Sequence, residues 1–328
     1  MVQKIGKKII ANLKKRSEKG LELAKQVLQT EKIKEPLLRD ALKHYILHWN
    51  DYTHPGLFSI ACEAVNGHPD DVVSVQAAIA MMAAAFDIHD DIIDKSKVKH
   101  KIPTVYGKFG DEIALLLGNA FLIEGFKLFV NSTEMLPREK GKEALETLKR
   151  LIFEVGNGHA IEVGLKERKN IVPDHYMKVI KMKAAGIELD MRLGALFGGG
   201  KNLEVDLLAR LGRMVGVLVL LREEFIDIFE IEELCQRILV HDMPLPLLFA
   251  MQDQKAKEKV NAIISKPKIT RIDIEELVDC TLEALPVVKL KEKMQALIDE
   301  GLKLATSLSN PRMRSQLQIL LPFMLEDL

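Results

Sequence analysis

Four aspartates crowd one short stretch of this chain, Phe86-Asp87-Ile88-His89-Asp90-Asp91-Ile92-Ile93-Asp94. On a helix, Asp90 and Asp94 stand one turn apart on one face, Asp87 lies three residues before Asp90 on that face, and Asp91 sits beside it. Like charges so placed repel, so the arrangement costs stability unless a cation neutralises it. Rigidly held carboxylate oxygens suit Mg²⁺, which keeps several waters and bridges to phosphate oxygens. A helix end emerging into solvent with an acidic face is the alternative. A second cluster, Arg222-Glu223-Glu224-Phe225-Ile226-Asp227, closes another apolar stretch and sets Glu223 and Asp227 at i,i+4. Two such patches facing each other across a bundle cavity would hold Mg²⁺ ions around a diphosphate. Two unrelated solvated helix ends are the alternative there.

The elements that must position these carboxylates read as helices. Apolar residues recur at three- and four-residue spacing over 37–49, 72–93, 113–129, 144–163, 176–197, 207–228 and 274–304. Breaks fall at His54-Pro55-Gly56, Gly67-His68-Pro69, Ile102-Pro103-Thr104, Pro137, Val172-Pro173, Gly198-Gly199-Gly200, Pro244 to Pro246 and Asn310-Pro311. Aromatic residues are 5% of the chain, while Leu, Ala, Lys, Glu and Met abound, which is helix-former chemistry. No composition shift marks a boundary, so the expectation is one all-α domain over 1–328. With 48% apolar and 29% charged residues, the 328-residue chain can bury a core and stay soluble.

Lys+Arg and Asp+Glu balance at 47 each, which argues against a polycation built for nucleic acid. Cys62, Cys235 and Cys280 lie far apart and fit a reducing compartment, so a cytoplasmic location is expected. The longest apolar run, 77–86, is ten residues, against roughly 20 for a membrane helix; no transmembrane segment is expected. The basic N-terminus reads as a first helix with Ile5, Ile9, Leu13 and Leu21 on its inner face. Contact with a membrane surface is its alternative.

The stretch from His89 to Ser96, followed by Ile102-Pro103-Thr104-Val105 and Gly110, resembles the first aspartate-rich region of the trans-isoprenyl diphosphate synthases. The DDxxD is complete over Asp90, Asp91 and Asp94. Gly212-Arg213-Met214-Val215-Gly216, leading into Glu223-Glu224-Phe225-Ile226-Asp227, sits where that family has its second such motif. Pro55, Cys62-Glu63, Asn66-Gly67, Tyr176, Lys183 and Gly194-Ala195 match other segments, and the resemblance runs over about residues 35–250.

The resemblance implies an isoprenoid-synthase-like helical bundle around a deep central cavity, acting as a homodimer with Mg²⁺. Asp90, Asp91, Asp94, Glu223, Glu224 and Asp227 would carry the metal. An allylic diphosphate would ionise, isopentenyl diphosphate would attack, and a short- to medium-chain prenyl diphosphate would result. Asp90, Asp91, Asp94 and Lys183 are the expected catalytic residues. Lys99, His54, His100, Phe86, His159 and Arg222 are candidates for substrate contact. Phe86 lies where a bulky residue commonly limits product length, with ordinary core packing as its alternative.

The departures fall unevenly. The family's basic Gly-Gly-Lys-Arg-x-Arg-Pro loop aligns with Trp49-Asn50-Asp51-Tyr52-Thr53-His54-Pro55, where only the proline survives. The Arg-Arg after the first motif becomes Lys99-His100, and Lys-Thr becomes Lys183-Ala184. The face for the allylic diphosphate is thus partly kept and the isopentenyl face almost erased. Two other readings follow: a non-catalytic subunit paired with an intact synthase, or a class I terpene cyclase on the same fold.

Overall fold

The computed structural model describes residues 2–99, 101–166, 171–230, 234–235, 237–238, 243–266, 268–326 and 328. Among these the chain is helical almost throughout, as its periodicity predicts. The described residues gather into two compact units. One comprises Gln3–Lys149 with Leu189–Leu208, the other Arg150–Glu188 with Ala209–Leu328. The boundaries fall inside α7 (Arg138–Lys166), α9 (Ala185–Phe197) and α10 (Asn202–Phe229).

The first unit is built on α1 (Val2–Thr30), α2 (Pro36–His48), α3 (Thr53–Ala64), α4 (Val73–Ile93), α5 (Val105–Phe109) and α6 (Asp111–Ser132). Pro36 starts α2 without losing a bond, because the first-turn N–H has no intrahelical partner. The inner stripe of α1 buries Leu21, Ala24 and Leu28 with Ala77, Ala80, Met81 and Ala84 of α4 and Phe121 of α6. Phe121 is wholly buried, worth about 1.5–3 kcal/mol, and stacks with Tyr45 and Trp49 at 5.1 and 5.5 Å between ring centroids. Gln76 of α4 ties three helices together. Its amide donates to the Arg16 and Pro55 carbonyls and accepts from the Gly20 N–H.

Between α4 and α5 the chain makes a small antiparallel hairpin, β1 (Val98–Lys99) with β2 (Ile102–Pro103). α4 ends just past the aspartates. The Asp94 N–H closes on the Asp90 carbonyl at 2.8 Å, and Lys95 turns the chain out with φ of 55°.

The second unit adds α8 (Pro173–Lys183), α11 (Leu245–Ala250), α12 (Gln254–Ile264), α13 (Arg271–Glu283), α14 (Leu285–Ala305) and α15 (Pro311–Phe323). Two expected helices are each split. The run over 176–197 breaks at Ala184, where α10 presses on the backbone: a Cβ on Gly216 would lie 2.9 Å from the Ala184 carbonyl oxygen. The run over 274–304 breaks at Ala284, which is extended (ψ 128°) just before Leu285-Pro286 opens the next helix.

Two segments exceed the expectation drawn from uninterrupted apolar runs. Residues Pro69–Ile93 and Asp111–Met135 are long and apolar enough to cross a membrane, because mean hydropathy tolerates the small and polar residues between apolar ones. Two thirds of the apolar window in the first is buried inside the protein, against one third in the second.

Candidate active site

The first aspartate cluster is carried by the last two turns of α4, whose apolar body is buried from Val75 to Ala85. α6 packs along α4 closely enough that a Cβ on Gly118 would come 2.5 Å from His89 Nε2. His89 is half-buried beside the aspartates. Burial lowers its pKa, hydrogen bonds involving Asn119 and the Leu115 backbone oppose this, and its Nε2 is buried without a hydrogen-bond partner among the described residues.

Asp90 is half-buried, Asp94 is exposed, and Asp91 is buried between them. The hairpin brings Lys99 Nζ to 2.8 Å from both Asp87 and Asp91. Burial pushes the Asp91 carboxyl up to about 6 although Lys99 pulls it down. Burial lowers the Lys99 ammonium, but Asp87 and Asp91 more than reverse this and leave it above its ordinary value. The phenol of Tyr45 registers the same field from α2. Burial raises its pKa first, then Asp87, Asp51 and Asp91 raise it further. Thr104 fixes the hairpin: its hydroxyl donates to the Ser96 carbonyl at 2.7 Å and accepts from the Gly107 N–H at 2.9 Å. Phe86 is half-buried one turn before Asp90.

In the same unit, the first turn of α3 sends His54 to a buried partner. Its Nδ1 lies 2.6 Å from Oδ2 of Asp190, a residue only 2% exposed. Burial raises the Asp190 pKa, and His54 counteracts this. His44 and His48, a turn apart on α2, spend Nε2 and Nδ1 on the backbone carbonyls of Pro103 and His44.

The second acidic cluster lies in the other unit, near the end of α10. Glu223 is exposed, Asp227 half-buried and Glu224 buried. Arg237, 7% exposed, reaches both oxygens of Glu224 at 3.2–3.3 Å and also pairs with Asp227. Glu224 further accepts the Leu245 N–H at 2.7 Å. The Tyr176 hydroxyl lies within hydrogen-bonding distance of Glu162 and Glu224. Lys183 donates to Glu162 at 2.9 Å, and His159 Nδ1 stands 3.8 Å from the same carboxylate. Arg222 points elsewhere. It donates to the carbonyls of Phe323, Met324 and Glu326 and lies over the Phe323 ring. His100 lies outside the described residues.

Among the described residues, no group of three or more His, Cys, Asp or Glu side chains is arranged as a metal cage. Mg²⁺ needs none: one or two carboxylates, waters and substrate phosphates suffice. Asp90 and Asp94 fit that demand as hard oxygen donors on one face, one half-buried and one exposed. Glu224 and Asp227 do not fit it, because a guanidinium already meets both.

The polyprenyl synthetase family model matches residues 35–281. The chain belongs to the polyprenyl synthetase family. The short chain isoprenyl diphosphate synthase of Methanothermobacter thermautotrophicus is 31% identical over 200 residues, covering 61% of this chain and 60% of that protein. The chloroplastic geranylgeranyl pyrophosphate synthase of Capsicum annuum is 27% identical over 66% of this chain and 60% of its own length. The matches thus span about three fifths of these curated relatives. The crystal structure of geranylgeranyl pyrophosphate synthetase from Pyrococcus horikoshii has the same fold, with a TM-score of 0.84 at 22% identity over 98% of both chains. Polyprenyl synthetase membership makes sense of the complete DDxxD. Arg237 is a residue that sequence reasoning missed. Its signal was present, since it is the only Lys or Arg between Arg222 and Lys255.

Proposed function

We propose that this chain is a Mg²⁺-dependent prenyltransferase that ionises an allylic diphosphate and adds isopentenyl diphosphate, giving a short- to medium-chain prenyl diphosphate. The observation that carries the reading is the pair Asp90 and Asp94, one turn apart at the end of a buried helix, with Asp87 and Asp91 beside them. Asp90 and Asp94 would hold Mg²⁺, which would supply charge to stabilise the departing diphosphate. Lys99 adds a fixed cation, poised by Asp87 and Asp91 to meet diphosphate oxygens. Asp91 orients Lys99 and keeps the lysine charged. Lys183 donates to Glu162 in the other unit.

Relatives named for short-chain and geranylgeranyl products support the product class. The decisive assay is Mg²⁺-dependent pyrophosphate release from allylic diphosphates of five to twenty carbons, with and without isopentenyl diphosphate. Release that requires isopentenyl diphosphate, with an elongated product, is expected. Asp90→Ala with Asp94→Ala removes it by at least about 10²-fold; unchanged turnover in that double variant rules out the metal assignment.

One observation favours a second reading, a non-catalytic subunit that pairs with an intact synthase. His54 is engaged by Asp190, and Asp51 stands where the loop cations should be. No release under either condition would select it. We place the working protein as a homodimer. α6 is apolar nearly all round and leaves Leu116, Ile123, Phe126 and Val130 exposed along one side, a face suited to a second copy. A cytoplasmic location accords with three free cysteines.

A further inference from the structure

The second acidic cluster is where the DDxxD logic would put another metal, and two of its carboxylates, Glu224 and Asp227, are already paired with a guanidinium. Arg237 is nine-tenths buried and makes bonds to both oxygens of Glu224, to Asp227 and, at 3.4 Å, to the Tyr176 hydroxyl. Glu224 is held by three kinds of contact: the guanidinium, the tyrosine hydroxyl and the Leu245 N–H. Beyond it, Glu162 is shared by Tyr176 and Lys183. Three carboxylates, Glu162, Glu224 and Asp227, are therefore matched by two fixed cations, with His159 at the edge.

A guanidinium stays protonated at any working pH and presents a planar fork that suits carboxylates. A divalent ion arriving here would have to eject that buried cation and strip bonds from Glu224. Removing one partner of a buried ion pair leaves an uncompensated charge, the costliest outcome in such a network. The first cluster differs in kind: its lysine is nearly half exposed and bonds Asp87 and Asp91, while Asp90 and Asp94 present oxygens of the right chemistry on a separate line of the same helix.

We infer that Arg237 is the built-in cation of the second acidic cluster, so that Glu223, Glu224 and Asp227 hold no divalent metal and the chain loads its metal through Asp90 and Asp94 alone. The first half of this statement stands without the proposed function; the second half rests on it. Arg237 is on this account a positioning residue, which keeps Glu224, Tyr176 and the start of α11 in place.

The test counts bound metal. Mn²⁺, replacing Mg²⁺, is titrated into the full chain in the presence of inorganic pyrophosphate, and the unbound ion is measured by electron paramagnetic resonance. Glu223→Gln with Asp227→Asn removes the outer carboxylates, one exposed and one half-buried, and leaves Arg237 intact. This variant should bind as many Mn²⁺ per chain as the unchanged protein. A lower count, with the helical circular dichroism preserved, overturns the inference. Arg237→Gln should gain at least one Mn²⁺, and adding Glu223→Gln and Asp227→Asn should abolish the gain. A folded Arg237→Gln that gains none also overturns it. If Arg237→Gln does not fold, the comparison of the unchanged protein with Glu223→Gln/Asp227→Asn decides alone. Asp90→Asn with Asp94→Asn reads the proposed function separately. Loss of Mn²⁺ supports that reading; full retention defeats it and leaves the Arg237 comparison standing.

Discussion

His54→Ala removes the partner of a carboxylate that is 2% exposed, and its consequence can be worked through. His54 Nδ1 and Asp190 Oδ2 are 2.6 Å apart, and the imidazole is one-third exposed while the carboxylate is not. Leaving a buried acceptor without its partner costs about 1–3 kcal/mol, more when it is charged. We take about 2 kcal/mol, because the exposed side of the site admits water in place of the ring. For a chain of 328 residues that lowers the melting temperature by about 3 °C. The pH dependence carries more information. Burial raises the Asp190 pKa and His54 pulls it back, so the variant's carboxyl titrates higher still. In the variant, the native state then holds a proton that the unfolded chain has released, and stability rises as pH falls toward about 4. The unchanged protein shows the same trend less steeply, because His54 holds the Asp190 carboxyl nearer its ordinary value. The gap between the two should therefore be wider at pH 6.5 than at pH 5. Thermal melts followed by circular dichroism at the two pH values test this. A variant that melts with the unchanged protein at pH 6.5, or a gap that is the same at both, refutes the reasoning.

Thr104→Val deletes both hydroxyl bonds of the hairpin cap; the expected loss is about 1–2 kcal/mol, with a raised KM for the allylic diphosphate because Lys99 loses its anchor, measured by melts and steady-state kinetics. Ile123→Asp with Phe126→Asp, on the exposed side of α6, should halve the mass in analytical ultracentrifugation while the helical signal persists; an unchanged mass places the dimer contact elsewhere. Phe86→Ala, one turn before Asp90, should shift product toward longer chains on chromatography of the dephosphorylated prenols, and an unaltered distribution makes the ring ordinary core packing.

Much of the helical frame is written in short-range periodicity. α4 ends at the last residue of the apolar pattern over 72–93 and starts one residue later than that pattern, because Pro69–Val72 closes as a separate 3-10 turn. Where a neighbouring helix intervened, the pattern failed: nothing near Ala184 announces that Gly216 will press on it. The break before Pro286 is written in the chain, because a proline fits the first turn of a helix and not its interior. The site divides the same way. Asp90, Asp91 and Asp94 are legible because one helix supplies them all. The partnerships His54–Asp190 and Glu224–Arg237 are not, since each joins residues from different stretches of chain and depends on burial. A cation standing alone between Arg222 and Lys255 was the available hint.

Because the unit boundaries cut through α7, α9 and α10, neither unit is a contiguous stretch of sequence. This bears on the order in which a ribosome can deliver the protein. The unit holding the DDxxD helix lacks Asp190 for His54, and Gly194 for its close approach to Phe58, until residue 208 has emerged. By then residues 150–188 have been made and must wait, since the unit to which they belong is complete only at residue 328. Chain synthesis runs at about 5–20 residues per second, so those 39 residues, with Tyr176 and Lys183 among them, spend on the order of ten seconds exposed before Glu224 and Arg237 can receive them. A nascent chain stopped after residue 149 should be protease-sensitive, and one stopped some 40 residues beyond 208 should not be so in its first half.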